Sequence, residues 1–246
     1  MTTETEGIVL RQTKTAYGRR MITLLTPKFG KISAGTSISE GGKNKTALAV
    51  RPFTHGRYEV FKGRDSYSIN AAETIDSFFS LGEDIDRYSY AAAALELCDR
   101  IIEEEQPAAG MYSLLLDYLA VLEKRKKDHA TLFIAFRIKM LELSGSGIQT
   151  KSCMKCGKSE DAAFISVSDG GTVCRECASS ASLNPLIFDA GNDIIKIIQF
   201  MQSHPIRSLE NLTLSPEKQA MLSKIVRSFY SQYLGIDSLK SEMLLI

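Results

Sequence analysis

The chain has 246 residues, enough for one large domain or for two or three small ones that each bury a core. It is 44% hydrophobic and 24% charged, has no tryptophan, and carries a formal net charge of only +1. No apolar run approaches the roughly 20 residues that span a bilayer, no internal repeat or low-complexity segment is present, and "MTTETEGIVLRQ" lacks the basic-then-apolar pattern of a secretory signal. A cytoplasmic protein with reduced thiols is expected. The near-neutral total hides an uneven distribution. Residues 1–80 carry 12 Lys/Arg against 7 Asp/Glu, residues 81–130 carry 6 against 11, and residues 131–246 carry 12 against 11.

Residues 5–76 read as short strands: "EGIVLRQ", "RRMITLLT", "GKISAGT", "RYEVFKG" and "SYSINAA", where Tyr67, Ile69 and Ala71 alternate with polar neighbours. Gly, Pro and Asn punctuate them. Five strands in about 75 residues suggest a small closed or nearly closed barrel, of which the five-stranded OB-fold is one solution. From about residue 82 the period becomes helical. Helices are predicted over Asp84–Glu105, Met111–Glu123 and His129–Leu143, then over Asn192–Ser203, and finally from Ser215-Pro216 to a stop at Gly235. Cys98 falls with Ala91, Leu95 and Ile102 on one helical stripe and reads as core.

The other four cysteines, Cys153, Cys156, Cys174 and Cys177, form two C-x-x-C pairs separated by 17 residues. In a reducing compartment that spacing matches a four-thiolate zinc site, one structural Zn2+ per chain. Asp169-Gly170-Gly171 supplies a hairpin turn between the pairs. A filled tetrahedral shell leaves no position for water or substrate, which argues against catalysis at the metal. The H-x-E element of a zinc deaminase is missing, and a thioredoxin-like pair would be single. Helices flank the module in sequence, so it reads as an insertion within a helical domain. The histidines, His55, His129 and His204, are scattered and suit surface or capping roles.

The segment "FRIKMLELSGSGIQTKSCMKCG" is similar to the RecO family of recombinational repair proteins, in which such a helix ends in a Gly-x-Gly turn shortly before the first cysteine. The closing "YLGIDSLKSE", the opening "GIVLRQTKTAYGRRMITLLTPKFGKIS" and "RPFTHGRYEV" resemble that family's C-terminal motif, first strands and Pro-Phe-Thr strand entry. The chain differs at Ser146, where an aromatic is frequent, at Glu242, where an arginine is common, and in a Gly41–Ala47 loop with only two lysines. The resemblance implies an α+β multidomain protein. Residues 1–80 would form an OB-fold nucleic-acid-binding domain, and residues 81–246 a helical domain with a zinc-binding insertion at about 150–181. It further implies a non-enzymatic, cytoplasmic and nucleoid-associated mediator. Such a protein binds single- and double-stranded DNA, anneals strands coated by single-strand-binding protein, and works with RecR to load RecA. Docking of the single-strand-binding protein's acidic C-terminal tail is part of the same implication. No phosphate loop occurs, consistent with a function that consumes no nucleotide.

Binding DNA of any sequence calls for Lys/Arg on phosphates and aromatics under bases, because neither reads base identity. The basic N-terminal third offers Lys14, Tyr17, Arg19 and Arg20 at the first hairpin, and Lys28 and Lys31 at the next turn. Lys43, Lys45 and Arg51 lie on the long loop, and Arg57, Lys62 and Arg64 border the fourth strand. Arg137 and Lys139 stand on the polar side of the third helix as candidates for partner docking. The competing function is a zinc-stabilised protein-interaction adaptor that does not anneal DNA. A nuclease would need clustered carboxylates, and the barrel's seven acidic residues form no obvious pair.

Overall fold

A computed structural model of the chain describes residues 2–15, 20–38, 45–64, 66–159, 162–179 and 185–244. It divides into two compact units, one of Met1–Lys124 with Lys240–Ile246 and one of Arg125–Leu239. Among the described residues no helix is long and apolar enough to cross a membrane.

In the first unit, β1 (Thr2–Lys14), β2 (Arg20–Thr26), β3 (Gly30–Thr36), β4 (His55–Lys62) and β5 (Tyr67–Asp76) close a barrel in the order β1-β2-β3-β5-β4. The five strands expected from the alternating pattern are present. A short helix, α1 (Lys45–Leu48), lies between β3 and β4, which makes this the OB arrangement. β1 serves two partners. Its first half pairs with β4 and its second half with β2, exchanging at Ile8. A register shift between Val9 and Arg11 interrupts the alternation there, so Ile8, Val9 and Leu10 are all buried. The interior is filled by Val9, Ile22, Leu24, Ile32, Tyr58, Val60 and Ile69, with Ala49 and Val50 entering from the end of α1. Burial of each large aliphatic among them contributes on the order of 1.5–3 kcal/mol. Tyr58 satisfies its buried hydroxyl by donating to the Ala49 carbonyl at 2.7 Å.

Two helices of the same unit, α2 (Ile85–Ile101) and α3 (Ala109–Lys124), pack on each other and on β1. Asp84 caps α2 by accepting the Arg87 amide at 2.9 Å. Cys98 is fully buried in α2, as its stripe predicted, and burial pushes its thiol pKa up. The helix stops at Ile101, short of the expected Glu105, and the reason lies in the barrel. β3 meets β5 only through Ala34–Thr36, which leaves the first half of β3 with an open edge. The chain after α2 fills it: Glu104 bridges to Lys31, and the Glu105 amide donates to the Lys31 carbonyl at 3.0 Å. At the C-terminus a 3-10 turn, Lys240–Leu244, belongs to this unit. The Glu96 carboxylate of α2 accepts the Lys240 amide at 2.9 Å, the Ser241 amide at 2.8 Å and the Ser241 hydroxyl at 2.7 Å.

The second unit is built around α4 (His129–Leu143), which packs against α6 (Gly191–Ser203) and α7 (Pro216–Leu234). Between α4 and α6 the chain forms β6 (Ala162–Ser166), β7 (Gly171–Cys174), the short α5 (Arg175–Ser179) and β8 (Ile187–Asp189), with sheet order β7-β6-β8. The Asp169-Gly170-Gly171 turn is where the sequence placed it. α7 opens with Pro216 and ends where Gly235, at φ 64°, donates its N–H to the Tyr230 carbonyl, both as expected. Ser215 makes no side-chain cap bond.

α4 has no solvated face along its middle: Thr131 to Ile138 are buried throughout. The reading of Arg137 as a polar-face residue is therefore corrected. Arg137 is only 5% exposed, its guanidinium 5.7 Å from the Phe133 ring centroid and 4.7 Å from that of Tyr230. Lys139 donates to the Gln202 carbonyl at 3.1 Å, and burial lowers its pKa. The histidine reading also needs correction, because His55 and His129 are buried and only His204 is exposed. His55 meets the Tyr112 hydroxyl at 2.9 Å and the Glu6 carboxylate at 3.3 Å.

Candidate nucleic-acid interface and metal centre

The four clustered cysteines converge. Cys153 and Cys156 lie on a turn between α4 and β6, Cys174 ends β7 and Cys177 sits in α5. Their sulfurs all lie within 4.8 Å of one another, so the set can hold a metal ion. Local hydrogen bonds build each knuckle. The Gly157 amide donates to the Cys153 carbonyl at 2.8 Å, which rounds the first turn, and Gly157 takes φ 75° to allow it. The Cys174 amide donates to Cys153 Sγ at 3.3 Å, joining the second pair to the first. Burial raises the Cys153 thiol pKa, but the backbone amides of Cys156, Cys174 and Lys155 outweigh it and bring the value down to about 6. Cys177 moves the other way, up to about 12. Its thiol is hydrogen-bonded by Cys174, is desolvated, and faces the charge that forms on Cys153. A second thiolate is thus resisted by the first, and a cation among the sulfurs removes that resistance.

The support beneath the knuckles is a close backbone approach. Gln149 accepts the Thr172 amide at 2.8 Å and donates its own amide to Gly170 at 3.0 Å. A Cβ on Gly171 would fall 2.2 Å from the Gln149 carbonyl oxygen, so only glycine fits. Tyr233 of α7 donates to the Val167 carbonyl at 2.8 Å, and β8 leads directly into α6. Those links make the module continuous with the helices of its unit.

Several basic residues of the barrel gather at three places. Lys14 and Arg20 face each other at the β1–β2 hairpin, and Arg20 is opposite Thr36 of β3. Arg20 is half-buried and its guanidinium donates to the Ile38 carbonyl. Lys62 and Arg64 border the β4–β5 turn, where Tyr67 is opposite Ala34 of β3. Hairpin and turn therefore flank the same C-terminal half of β3, on either side of it. Lys28 and Lys31 lie at the other end of that strand. Lys28 is exposed, 5.6 Å from the Phe29 ring, and Phe29 packs against the barrel core.

Acidic partners missed in the sequence engage some of these cations. Lys31 donates to the Asp99 carbonyl and lies 3.5 Å from the Asp99 carboxylate, which also holds Arg11 at 3.2 Å. Lys62 is 2.6 Å from Glu105 and 5.0 Å over the Tyr67 ring. Its pKa is pushed up to about 12, first by the Glu105 bond and then by Tyr67. Arg57 is exposed on β4, in register with Glu6 on one side and Glu73 on the other. Arg51 follows α1 and is half-buried; Lys45 opens α1. Lys14 and Arg64 are exposed. Tyr17, Arg19 and Lys43, and the side chain of Lys45, lie outside the described residues. The only sequence signal for the acidic partners was the run Glu103-Glu104-Glu105 before Pro107.

Comparison with known proteins divides the chain just after the last barrel strand. Residues 1–78 match the family model described as "Recombination protein O N terminal", and residues 82–243 match "Recombination protein O C terminal". The chain belongs to the RecO family of DNA repair proteins. Among curated RecO relatives, "DNA repair protein RecO" of Alkaliphilus metalliredigens is 29% identical over 239 residues, covering 95% of this chain and 94% of the relative. The protein of the same name from Thermoanaerobacter is 27% identical over 237 residues, covering 95% and 93%. That from Acetivibrio thermocellus is 30% identical over 175 residues, covering 71% and 70%. The RecO resemblance read from the sequence motifs is thus shown for both the barrel and the helical, cysteine-bearing part.

Proposed function

We propose that this RecO-family chain is a non-enzymatic recombination mediator. It binds single- and double-stranded DNA, anneals complementary strands coated by single-strand-binding protein, and with RecR helps load RecA. The observation that carries the reading is the closed OB barrel with cations on both flanks of β3, at the hairpin and at the β4–β5 turn. Strands 2 and 3 with these two connections form the surface on which OB-folds bind oligonucleotides. Lys/Arg there neutralise phosphates without reading bases, and two strands held loosely can search register while pairing supplies the driving force. In this reading residues 1–80 are the nucleic-acid-binding domain. Residues 81–246 form the helical domain with the insertion at about 150–181. No side chain has to act as acid, base or nucleophile.

The metal in this reading is zinc, one per chain. Bonds of about 2.3 Å to a tetrahedral zinc set neighbouring sulfurs about 3.8 Å apart, and Cys156 and Cys174 are 3.8 Å apart. When bound, zinc supplies a cross-link between the two knuckles and no catalytic water position. Lys196 and Phe200 of α6, at i and i+4, and His204 just past its end are exposed, the combination that suits the acidic, apolar tail of single-strand-binding protein. Activity in the cytoplasm, at the nucleoid, follows from the substrate.

The test is annealing of complementary strands coated with single-strand-binding protein, with and without that protein's C-terminal tail. Annealing is expected on the intact coat and sharply reduced on the tailless one. No annealing on either would favour a zinc-stabilised protein-interaction adaptor.

A further inference from the structure

The segment after α2 is acidic and lies on the barrel. Glu104 extends the open edge of β3 through Lys31, and Glu105, in a left-handed conformation at φ 60°, sends its carboxylate to Lys62 at 2.6 Å. Glu105 therefore spans from β3 to the border of the β4–β5 turn. Asp99, at the end of α2, holds both Lys31 and Arg11. The seat is close-fitting, because a Cβ on Gly30 would fall 1.7 Å from the Gln106 carbonyl oxygen, and Gly30 itself takes φ 64°. Glu103, Glu104 and Glu105 are all exposed, as is Lys62. An exposed pair of this kind is screened and easily exchanged for another anion.

We propose that residues 103–105 act as an acidic strap that competes with phosphate for the barrel's cations, with Glu105 holding Lys62 until a DNA strand displaces it. The inference rests on the reading of the barrel as the DNA-binding domain and adds a residue that sets its affinity. A carboxylate on Lys62 occupies the position a phosphate oxygen would take, beside Tyr67, whose ring already lies 5.0 Å from the ammonium. The strap would keep the grip weak enough for strands to slide and exchange.

The experiment compares the full-length wild type with Glu105→Gln for binding to a fluorescent oligothymidylate across a range of salt. Glu83→Gln, an exposed acid in the 3-10 turn before α2, serves as the control for net charge. Freeing one cation should tighten binding by about three- to tenfold at low salt and steepen the slope of log K against log[salt] by about 0.7. Glu83→Gln should give a smaller change, and Lys62→Ala should abolish the gain in the Glu105→Gln background. Equal affinity and slope for wild type and Glu105→Gln, both folded by circular dichroism, would overturn the strap while leaving the barrel reading intact. If neither protein bound the oligonucleotide, the barrel reading itself would fall and the strap with it.

Discussion

Tyr230 and Arg137 hold each other in the second unit: the Tyr230 hydroxyl donates to the Arg137 carbonyl at 2.8 Å, and the Arg137 guanidinium stands 4.7 Å from the Tyr230 ring. Both residues are buried. Losing one donor to a buried carbonyl costs more than losing an ordinary surface bond. Tyr230→Phe should lower stability by about 1–2 kcal/mol, read as a shift in the urea midpoint with little change in slope. Metal content should be unaffected, because the pair lies on α4 and α7, whereas the four cysteines lie on the segment between α4 and α6.

Removal of one knuckle ligand should act on the metal first. Cys153→Ser or Cys174→Ser should leave well under one zinc per chain by metal analysis and expose the remaining thiols to titration, whereas Cys98→Ser should retain the ion. Since each sulfur must be deprotonated to bind, chelators should strip the metal faster as pH falls. Full zinc retention in the Cys153→Ser protein would refute the assignment.

Local patterns were legible where they were decided locally. Alternation in "SYSINAA" found a strand, Ser215-Pro216 and Gly235 bracketed a helix, and the C-x-x-C spacing brought four sulfurs together. Long-range partners were not legible. The triple burial at Ile8–Leu10 depends on a bulge and a change of partner strand, and the end of α2 depends on an open edge 70 residues earlier in the chain. Likewise a helical wheel cannot show that α4 is enclosed, which is why Arg137 looked solvated. Lys31 and Lys62 read as free cations because Asp99 and Glu105 lie far off in sequence.

The C-terminal motif should be acid-labile. Burial of Glu96 raises its pKa, but the Ser241 hydroxyl and amide, the Lys240 amide and Arg100 together lower it below the ordinary 4.5. A carboxyl with a depressed folded pKa stabilises above its unfolded value and loses that contribution as pH falls through the folded one. Amide exchange at Lys240 and Ser241 should therefore accelerate below about pH 4.5 relative to exchange in α3. In Glu96→Gln, these amides should already exchange fast at neutral pH. Slow exchange there in the variant would show that the carboxylate charge is not what anchors the turn.

The barrel cations should separate into two groups when replaced by alanine. Lys14, Lys28 and Arg64 are exposed and paired with no acid among the described residues, so they are available to phosphates. Each substitution should weaken oligonucleotide binding similarly for all sequences and reduce the salt slope by up to about 0.7, with thermal stability unchanged. Lys31 and Arg20 are half-buried and bonded to the Asp99 and Ile38 carbonyls. Lys31→Ala and Arg20→Ala should lower the melting temperature, because each removes a donor from a carbonyl that the barrel keeps partly from water. Anisotropy titrations and thermal unfolding on the same five proteins distinguish the groups. A salt slope unchanged in all three exposed variants would mean that the DNA contacts lie elsewhere on the chain.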